Sequence, residues 1–233
     1  MDDSRTVALL GTQATDKLKD CTVAVFGVGG VGSFAAEAIA RAGIGTLILV
    51  DNDVVKPSNC NRQLVALSST IRQYKTQVMR ERILDINPQA SVVTHEVFYD
   101  VDSSDGIFGG QHIDYVVDAI DSLPSKVRLI CECKSRGIDI VSSMGAGNKL
   151  YPERFCVTDL YKTTCDPIAK ILRKQLRSCG IDSLTVVCSD EPPLKSAAEE
   201  DGKRVPASIS FVPSVCGLLM AGVVVRACAG VEK

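Results

Sequence analysis

Residues 22–51, TVAVFGVGGVGSFAAEAIARAGIGTLILVD, decide the fold. Val23 to Gly27 reads as a strand running into a glycine turn. Ser33 to Ala42 reads as an alanine-rich helix stopped by Gly43, and Leu47 to Val50 as a second strand ending at the carboxylate of Asp51. Gly27, Gly29 and Gly32 fit G-x-G-x-x-G: the first allows the tight turn, the second lets backbone amides approach a phosphate, and the third lets helix pack on strand. Asp51 stands where a ribose-binding carboxylate is expected. By itself this unit favours a dinucleotide-type fold. The extra glycine, Gly30, and the residues after Asp51 decide which nucleotide chemistry it serves.

Outward from this unit, further strand-like runs at Ser91 to Val97, Tyr115 to Asp118 and Asp139 to Ser142 alternate with helical patterns. One of these helices runs from Thr70 or Tyr74 to Ile86 and is stopped by Asn87-Pro88. The alternation predicts an α/β fold: a Rossmann-like, doubly wound, mostly parallel sheet. From Gly145 it weakens. GAGNKLYPERFCVTDL reads as a turn and two further strands, giving an irregular, partly antiparallel C-terminal extension. Pro167 then opens a helix with Ile168, Ile171, Leu172 and Leu176 on one face and Lys170, Arg173, Lys174 and Arg177 on another. Residues 189–208, SDEPPLKSAAEEDGKRVPAS, read as a mobile loop within a single domain spanning 1–233.

At 233 residues the chain holds enough apolar sequence for one large α/β core, and its formal net charge of −2 excludes a globally basic surface. A polyanionic partner therefore needs a local basic patch. The ten cysteines form no C-x-x-C pair, and Cys131 and Cys133 sit in a helix pattern that points them to different faces, which argues against zinc. Reduced, buried thiols are the expectation, in keeping with a cytoplasmic protein without a visible signal peptide. The apolar stretch from Ile209 to Gly230 is interrupted by Ser210, Pro213, Ser214 and Arg226, so a buried helix starting near Pro213 is expected rather than a membrane span.

The chemistry lies after Asp51. Ser58, Asn59, Asn61, Arg62 and Gln63 cluster hydrogen-bonding groups there, with Lys75 on the next helix. A planar fork and a point charge beside one nucleotide site suit a triphosphate, although a capped polar loop with a surface lysine accounts for the same residues. Asp118 and Asp121 end the strand before Pro124, at the sheet edge where open α/β folds bind ligands. Asp121 is assigned to the ligand, where a carboxylate can hold magnesium on a triphosphate, and Ser122 or Leu123 to the helix entry.

The ordered set GVGGVG (27–32), VDNDVVKPSNCNRQ (50–63), YK (74–75) and DAIDS (118–122) resembles the adenylation domain of the ubiquitin-activating enzyme superfamily, over roughly 18–147. That superfamily includes the adenylyltransferases of thiamin and molybdopterin sulfur carriers. The resemblance implies an ATP and Mg2+ site. Gly27, Gly29, Gly30, Gly32, Ser58, Gln63 and Ser122 would contact nucleotide, Asp51 the ribose, Asn59, Arg62 and Lys75 the phosphates, and Asp121 the metal. An N-terminal arginine often reaches the phosphates in this superfamily, sometimes across a dimer. Arg5 is the nearest candidate, with a plain surface residue as the alternative.

Three further segments, SRTVALLG (4–11), VTDLYKTTCDPIAKILRKQLR (157–177) and FVPSVCGLLMAGVVV (211–225), resemble the tRNA threonylcarbamoyladenosine dehydratase branch and extend the likeness over nearly the whole chain. The implied activity is ATP-dependent cyclisation of threonylcarbamoyladenosine beside the tRNA anticodon, through an acyl-adenylate, with loss of water. Lys126 fits that branch and joins Lys170, Arg173, Lys174 and Arg177 as the expected tRNA contacts; a solvated helix face explains the last four equally well. A homodimer is the expected assembly, and a sulfur-transfer protein is a further partner the superfamily admits. The rival reading is an adenylyltransferase for a ubiquitin-like sulfur carrier, which shares every nucleotide residue. Cys165 and Cys188 are read as structural, and neither His95 nor His112 receives a role.

Overall fold

The structure is a computed structural model that describes residues 1–196, 199–200 and 203–231. Two short helices, α1 (Ser4–Leu10) and α2 (Thr12–Asp20), precede the nucleotide-binding unit β1 (Thr22–Phe26), α3 (Gly32–Ala42) and β2 (Thr46–Val50). Then follow α4 (Lys75–Ile86), β3 (Ser91–His95), α5 (Val101–Phe108), β4 (Tyr115–Asp118), α6 (Leu123–Arg136) and β5 (Asp139–Ser143). The C-terminal part holds β6 (Phe155–Asp159), α7 (Pro167–Ser178), β7 (Thr185–Ser189), the short pair β8 (Glu199–Glu200) and β9 (Lys203–Arg204), and α8 (Phe211–Ala229).

Seven strands form one sheet in the order β3-β2-β1-β4-β5-β7-β6. All neighbours are parallel except β6 and β7, which pair antiparallel with Cys156 opposite Cys188. The chain winds outward from β1 in one direction and from β4 in the other, so a crevice opens at the carboxyl ends of these two strands, where open α/β sheets bind ligands. The strand period sorts the core onto two faces. Val23, Val25, Leu47 and Leu49 pack with α3, α4 and α8, whereas Ala24, Phe26, Ile48 and Val50 pack with α5, α6 and α7.

The expected doubly wound sheet with an antiparallel edge is what the chain forms, with three corrections. The stretch 145–160 holds one strand, β6, not two; its partner is β7, a strand buried along most of its length that carries no alternation to announce it. Helix α5 was not expected. It is fixed by a reciprocal cap in which Asp100 accepts from the Asp102 and Ser103 amides while the Ser103 hydroxyl accepts from the Asp100 amide. On α7 the buried face is Ala169, Leu172 and Leu176; Ile171 is exposed.

Helix α8 is long and apolar enough to cross a membrane by length and composition. In this fold it packs along α3, with Cys216, Met220 and Val224 fully buried. A side chain at Gly217 would run into the Val31 carbonyl, so the close approach of α8 to the glycine turn requires a glycine there. The stretch 189–208, read as a mobile loop, is anchored at both ends by bonds described below; positions 197–198 and 201–202 lie outside the described residues.

Candidate active site

The glycine turn shapes the floor of the crevice. Gly27 has φ +86°, and a Cβ there would stand 2.6 Å from the Ala119 carbonyl oxygen. At Gly32 a Cβ would run into the Gly27 carbonyl, so this glycine lets α3 start directly against the turn. Gly29 differs: a Cβ there would meet only the Gln63 amide nitrogen at 3.7 Å, leaving its backbone open to the cleft. The Ser33 hydroxyl donates to the Gly29 carbonyl (2.6 Å) and accepts from the Leu64 amide (3.2 Å), tying the turn to the polar loop after β2.

Asp51, at the end of β2, accepts the Val28 amide at 2.7 Å and the Asp53 amide at 2.8 Å. Burial pushes its carboxyl above the ordinary carboxylate value, while the Lys75 ammonium and the two amides hold it down. Lys75, at the start of α4, is only 5% exposed. Its Nζ lies 2.8 Å from Asp53 Oδ2 and 4.0 Å from Asp51 Oδ2, so both carboxylates hold it at the nucleotide end of the crevice. In the polar loop, Asn59 accepts the Lys56 amide (3.0 Å), and Arg62 Nη1 donates to the Ser58 carbonyl (2.9 Å) and to Asn61 Oδ1 (2.8 Å). Gln63 is nine-tenths buried, and its Oε1 has no hydrogen-bond partner among the described residues. A buried amide oxygen left this way fits a ligand donor arriving in the cleft.

The two carboxylates at the end of β4 have different jobs. Asp118 is fully buried; it accepts from Lys126 Nζ (2.8 Å), the Ser142 hydroxyl (2.6 Å) and the Ile120 amide (3.2 Å). Lys126 also donates to the Ser143 carbonyl at 3.1 Å and is 1% exposed. This corrects the expectation of a tRNA contact at Lys126: its ammonium is spent inside the fold, joining β4 to β5. The bonded group holds the turn that carries Asp121, which is exposed at the crevice. Ser122 is the N-cap of α6 and does not line the cleft; Ser125, one turn into α6, does.

These elements enclose one cleft of about 780 Å³. It gathers Gly29, Gly30, Asp51, Asn59, Arg62, Gln63, Lys75 and Asp121, with Phe98 and Tyr99 on one wall. The remaining wall, Ala146, Gly147, Val205 to Ser208 and Pro213, was missed in the sequence, as was Lys56. Val205 to Ser208 belong to a polar, proline-containing stretch that carries no motif.

Other expected site residues lie elsewhere. Arg5 is exposed on α1 and does not line the cleft of its own chain. On α7, Lys170 and Lys174 are exposed, Arg177 lies over the Tyr161 ring at 5.0 Å, and Arg173 is bonded to Thr163, at 2.9 Å to its carbonyl. The basic stripe thus offers two unengaged cations rather than four. Burial pushes the Cys188 and Cys216 thiols up to about 12, so both are protonated and unreactive at neutral pH. Among the described residues, no three His, Cys, Asp or Glu side chains gather as a metal site.

A doubly wound sheet with a nucleotide-sized, glycine-floored cleft at its switch point defines an α/β nucleotide-site protein. The chain belongs to the ThiF family, whose model matches residues 2–233. It is 46% identical to the tRNA threonylcarbamoyladenosine dehydratase of Bacillus subtilis, over 95% of this chain and 92% of that protein. It is also similar to the solved structures of E. coli tRNA N6-threonylcarbamoyladenosine dehydratase in complex with AMP (35% identity, TM-score 0.89) and with ATP (34%, 0.89). Each likeness covers 97% of this chain and 93% of the E. coli chain.

Proposed function

We propose that this protein is a cytoplasmic enzyme that uses ATP to dehydrate N6-threonylcarbamoyladenosine in tRNA, closing it to a ring through an acyl-adenylate. The observation that carries the reading is the convergence of Arg62, Lys75, Asp121, Asp51 and the open backbone of Gly29 on one cleft. The likeness to named dehydratases over nearly the whole chain supports it.

The residues present fit ATP. Gly29 leaves backbone open for phosphate, Asp51 is placed to accept ribose hydroxyls, and the Gln63 Oε1, without a partner among the described residues, can take a ligand donor. They also fit Mg2+ held mainly by phosphates and one carboxylate, with Asp121 as that carboxylate. Bound there, the ion would neutralise charge on the triphosphate.

The threonyl carboxylate is a poor electrophile because its leaving group would be oxide. Attack of a carboxylate oxygen on the α-phosphorus breaks the bond to the β-phosphate oxygen and releases pyrophosphate. Arg62 offers its fork to the charge that develops, and Lys75, drawn from Asp53, offers a point charge. The carbamoyl group of the same nucleoside then attacks the activated carbonyl, AMP leaves, and the net change is loss of one water. Ring closure within one molecule proceeds at high effective concentration, so no protein nucleophile is required, in keeping with the protonated state of Cys188.

Arg5 would reach the phosphates only from a second copy of the chain, which is the role a homodimer would serve. Lys170 and Lys174, exposed on α7, are the cations assigned to tRNA phosphates. Reversing both to glutamate is expected to weaken tRNA binding, lower the slope of log Kd against log salt by about 2, and leave ATP affinity unchanged. An unaltered salt slope returns α7 to an ordinary solvated face. The reading as a whole is tested by incubating threonylcarbamoyl-modified tRNA with the protein and ATP. The modified nucleoside should lose the mass of one water as AMP and pyrophosphate appear. Pyrophosphate exchange that answers to a ubiquitin-like sulfur carrier and not to the modified tRNA would overturn it in favour of a sulfur-carrier adenylyltransferase.

A further inference from the structure

We infer that Asn148 is a positioning residue for the adenylation step: it latches the segment Val205 to Ser208 as the wall of the cleft beside Arg62. This deepens, and rests on, the functional reading above. Asn148 has φ +58°, a left-handed conformation shared among the described non-glycine residues only with Arg72. Asparagine tolerates that region better than other side chains, which is one reason for its presence.

The second reason is its bonding. The Asn148 amide donates to the Ala207 carbonyl at 2.7 Å, and its side-chain Oδ1 accepts the Ala207 amide at 2.8 Å, so one residue satisfies both backbone groups of Ala207. Its own carbonyl accepts the Leu194 amide at 2.7 Å. Next to it, Gly147 lies so close to Pro206 that a Cβ would stand 2.6 Å from the proline Cβ. The segment is therefore seated on residues 147–148 by two hydrogen bonds and one tight contact, and a third bond from residue 148 holds Leu194.

The latch leads to the chemistry. Ser208, the residue after Ala207, offers its carbonyl to Asn61 Nδ2 at 3.0 Å, and Asn61 Oδ1 accepts Arg62 Nη1 at 2.8 Å. A continuous path of bonds thus runs from Asn148 through the strap to the guanidinium assigned to the phosphates. Asn148 itself does not line the cleft; Val205, Pro206, Ala207 and Ser208 do. The nucleoside end, built from Asp51, Gly29 and Gln63, is held by bonds that do not involve the strap. A separate anchor holds the earlier arm. Lys149 Nζ donates to the Glu191 carbonyl (2.6 Å), and the Glu191 carboxylate accepts the Leu150 and Tyr151 amides. Loss of the Asn148 side chain takes away the acceptor of the Ala207 amide and should therefore loosen the wall without unfolding the sheet.

Three variants separate the two features of Asn148. Asn148→Asp keeps the acceptor oxygen and tolerates the left-handed backbone, Asn148→Gly keeps the backbone freedom and both backbone bonds but loses the side-chain acceptor for the Ala207 amide, and Asn148→Ala loses that acceptor and strains the backbone. The expected result for Asn148→Gly is a fall in kcat for AMP formation of about tenfold or more, with ATP affinity measured by calorimetry within about twofold of the parent. Trypsin should cut faster after Arg204, which leads into the loosened segment at Val205, and Asn148→Asp should restore both the turnover and the slow cleavage. Parental kcat and cleavage in Asn148→Gly would overturn the inference. So would loss of ATP affinity in step with kcat, or failure of Asn148→Asp to rescue. If the parent protein yields no dehydrated nucleoside, the functional reading fails, and the catalytic role inferred for Asn148 fails with it. The cleavage pattern, which needs no tRNA, still decides whether the latch exists.

Discussion

Arg62→Ala and Asp121→Ala are each expected to lower AMP formation by about 10²- to 10³-fold while leaving the fold intact, as measured by single-turnover release of AMP and far-UV circular dichroism. The size follows, for Arg62, from the loss of a cation that would meet charge developing on phosphate and, for Asp121, from the loss of the carboxylate that would hold the metal against it. The intact fold follows from exposure. Arg62 is only partly buried, its bonds are to a loop carbonyl and to Asn61 Oδ1, and Asp121 is exposed at the rim. Their removal therefore strands no buried partner. Lys75→Ala is a poorer test of the same chemistry. The Lys75 ammonium is the counter-charge of Asp53 and of the buried Asp51, so its loss would disturb ribose binding and phosphate binding together. A loss of kcat with ATP affinity held would place Arg62 and Asp121 in the reaction rather than in ground-state binding. Near-parental turnover in both variants refutes the roles given to them.

How much of this site the sequence disclosed depended on whether each residue's role is set by its neighbours in the chain. Gly27, Gly29 and Gly32 were readable because strand, turn and helix follow one another within a few residues, and their spacing is dictated by that local geometry. Asp51 and Asp121 were readable for a similar reason: each stands at the carboxyl end of a strand, the edge at which a doubly wound sheet opens. Helix α5 left a local signal in the exchange between Asp100 and Ser103, but Gly106, Gly109 and Gly110 around it mask a helical pattern. Strand β7 is buried along most of its length, so its apolar run lacks the alternation by which a half-exposed strand is recognised.

The strap over the cleft and the true place of Lys126 were illegible because their partners are distant. Ala207 is held by Asn148, and Ser208 by Asn61, across separations no short motif spans. Lys126 begins a helix, where lysines are ordinarily solvated. Only the meeting of β4 with β5 shows that Asp118, Ser142 and Ser143 converge on its ammonium. The branch likeness placed the residue among the useful ones and could not say for what. A surface cation and an internal strut are written with the same letter.

That strut carries the second large effect. Lys126→Met is expected to destabilise the protein by about 3–5 kcal/mol, because removal of one member of a buried ion pair leaves the other charged and desolvated. Asp118 would keep only the Ser142 hydroxyl and the Ile120 amide as donors, with no route to water from a fully buried position. Urea unfolding followed by fluorescence would show it as a lowered midpoint at an unchanged slope. The companion variant Asp118→Asn with Lys126→Met removes both charges and should recover a good part of the loss, since two neutral groups of similar volume carry no such desolvation penalty. The strut also bears on catalysis. The Asp118 carboxylate that takes the Lys126 proton donor also accepts the Ile120 amide, one residue before Asp121. The double variant, if folded, should therefore bind ATP nearly as the parent does yet turn over more slowly. A single Lys126→Met variant that is as stable as the parent would mean the buried carboxylate has found another way to be neutral, and the strut would lose both its roles.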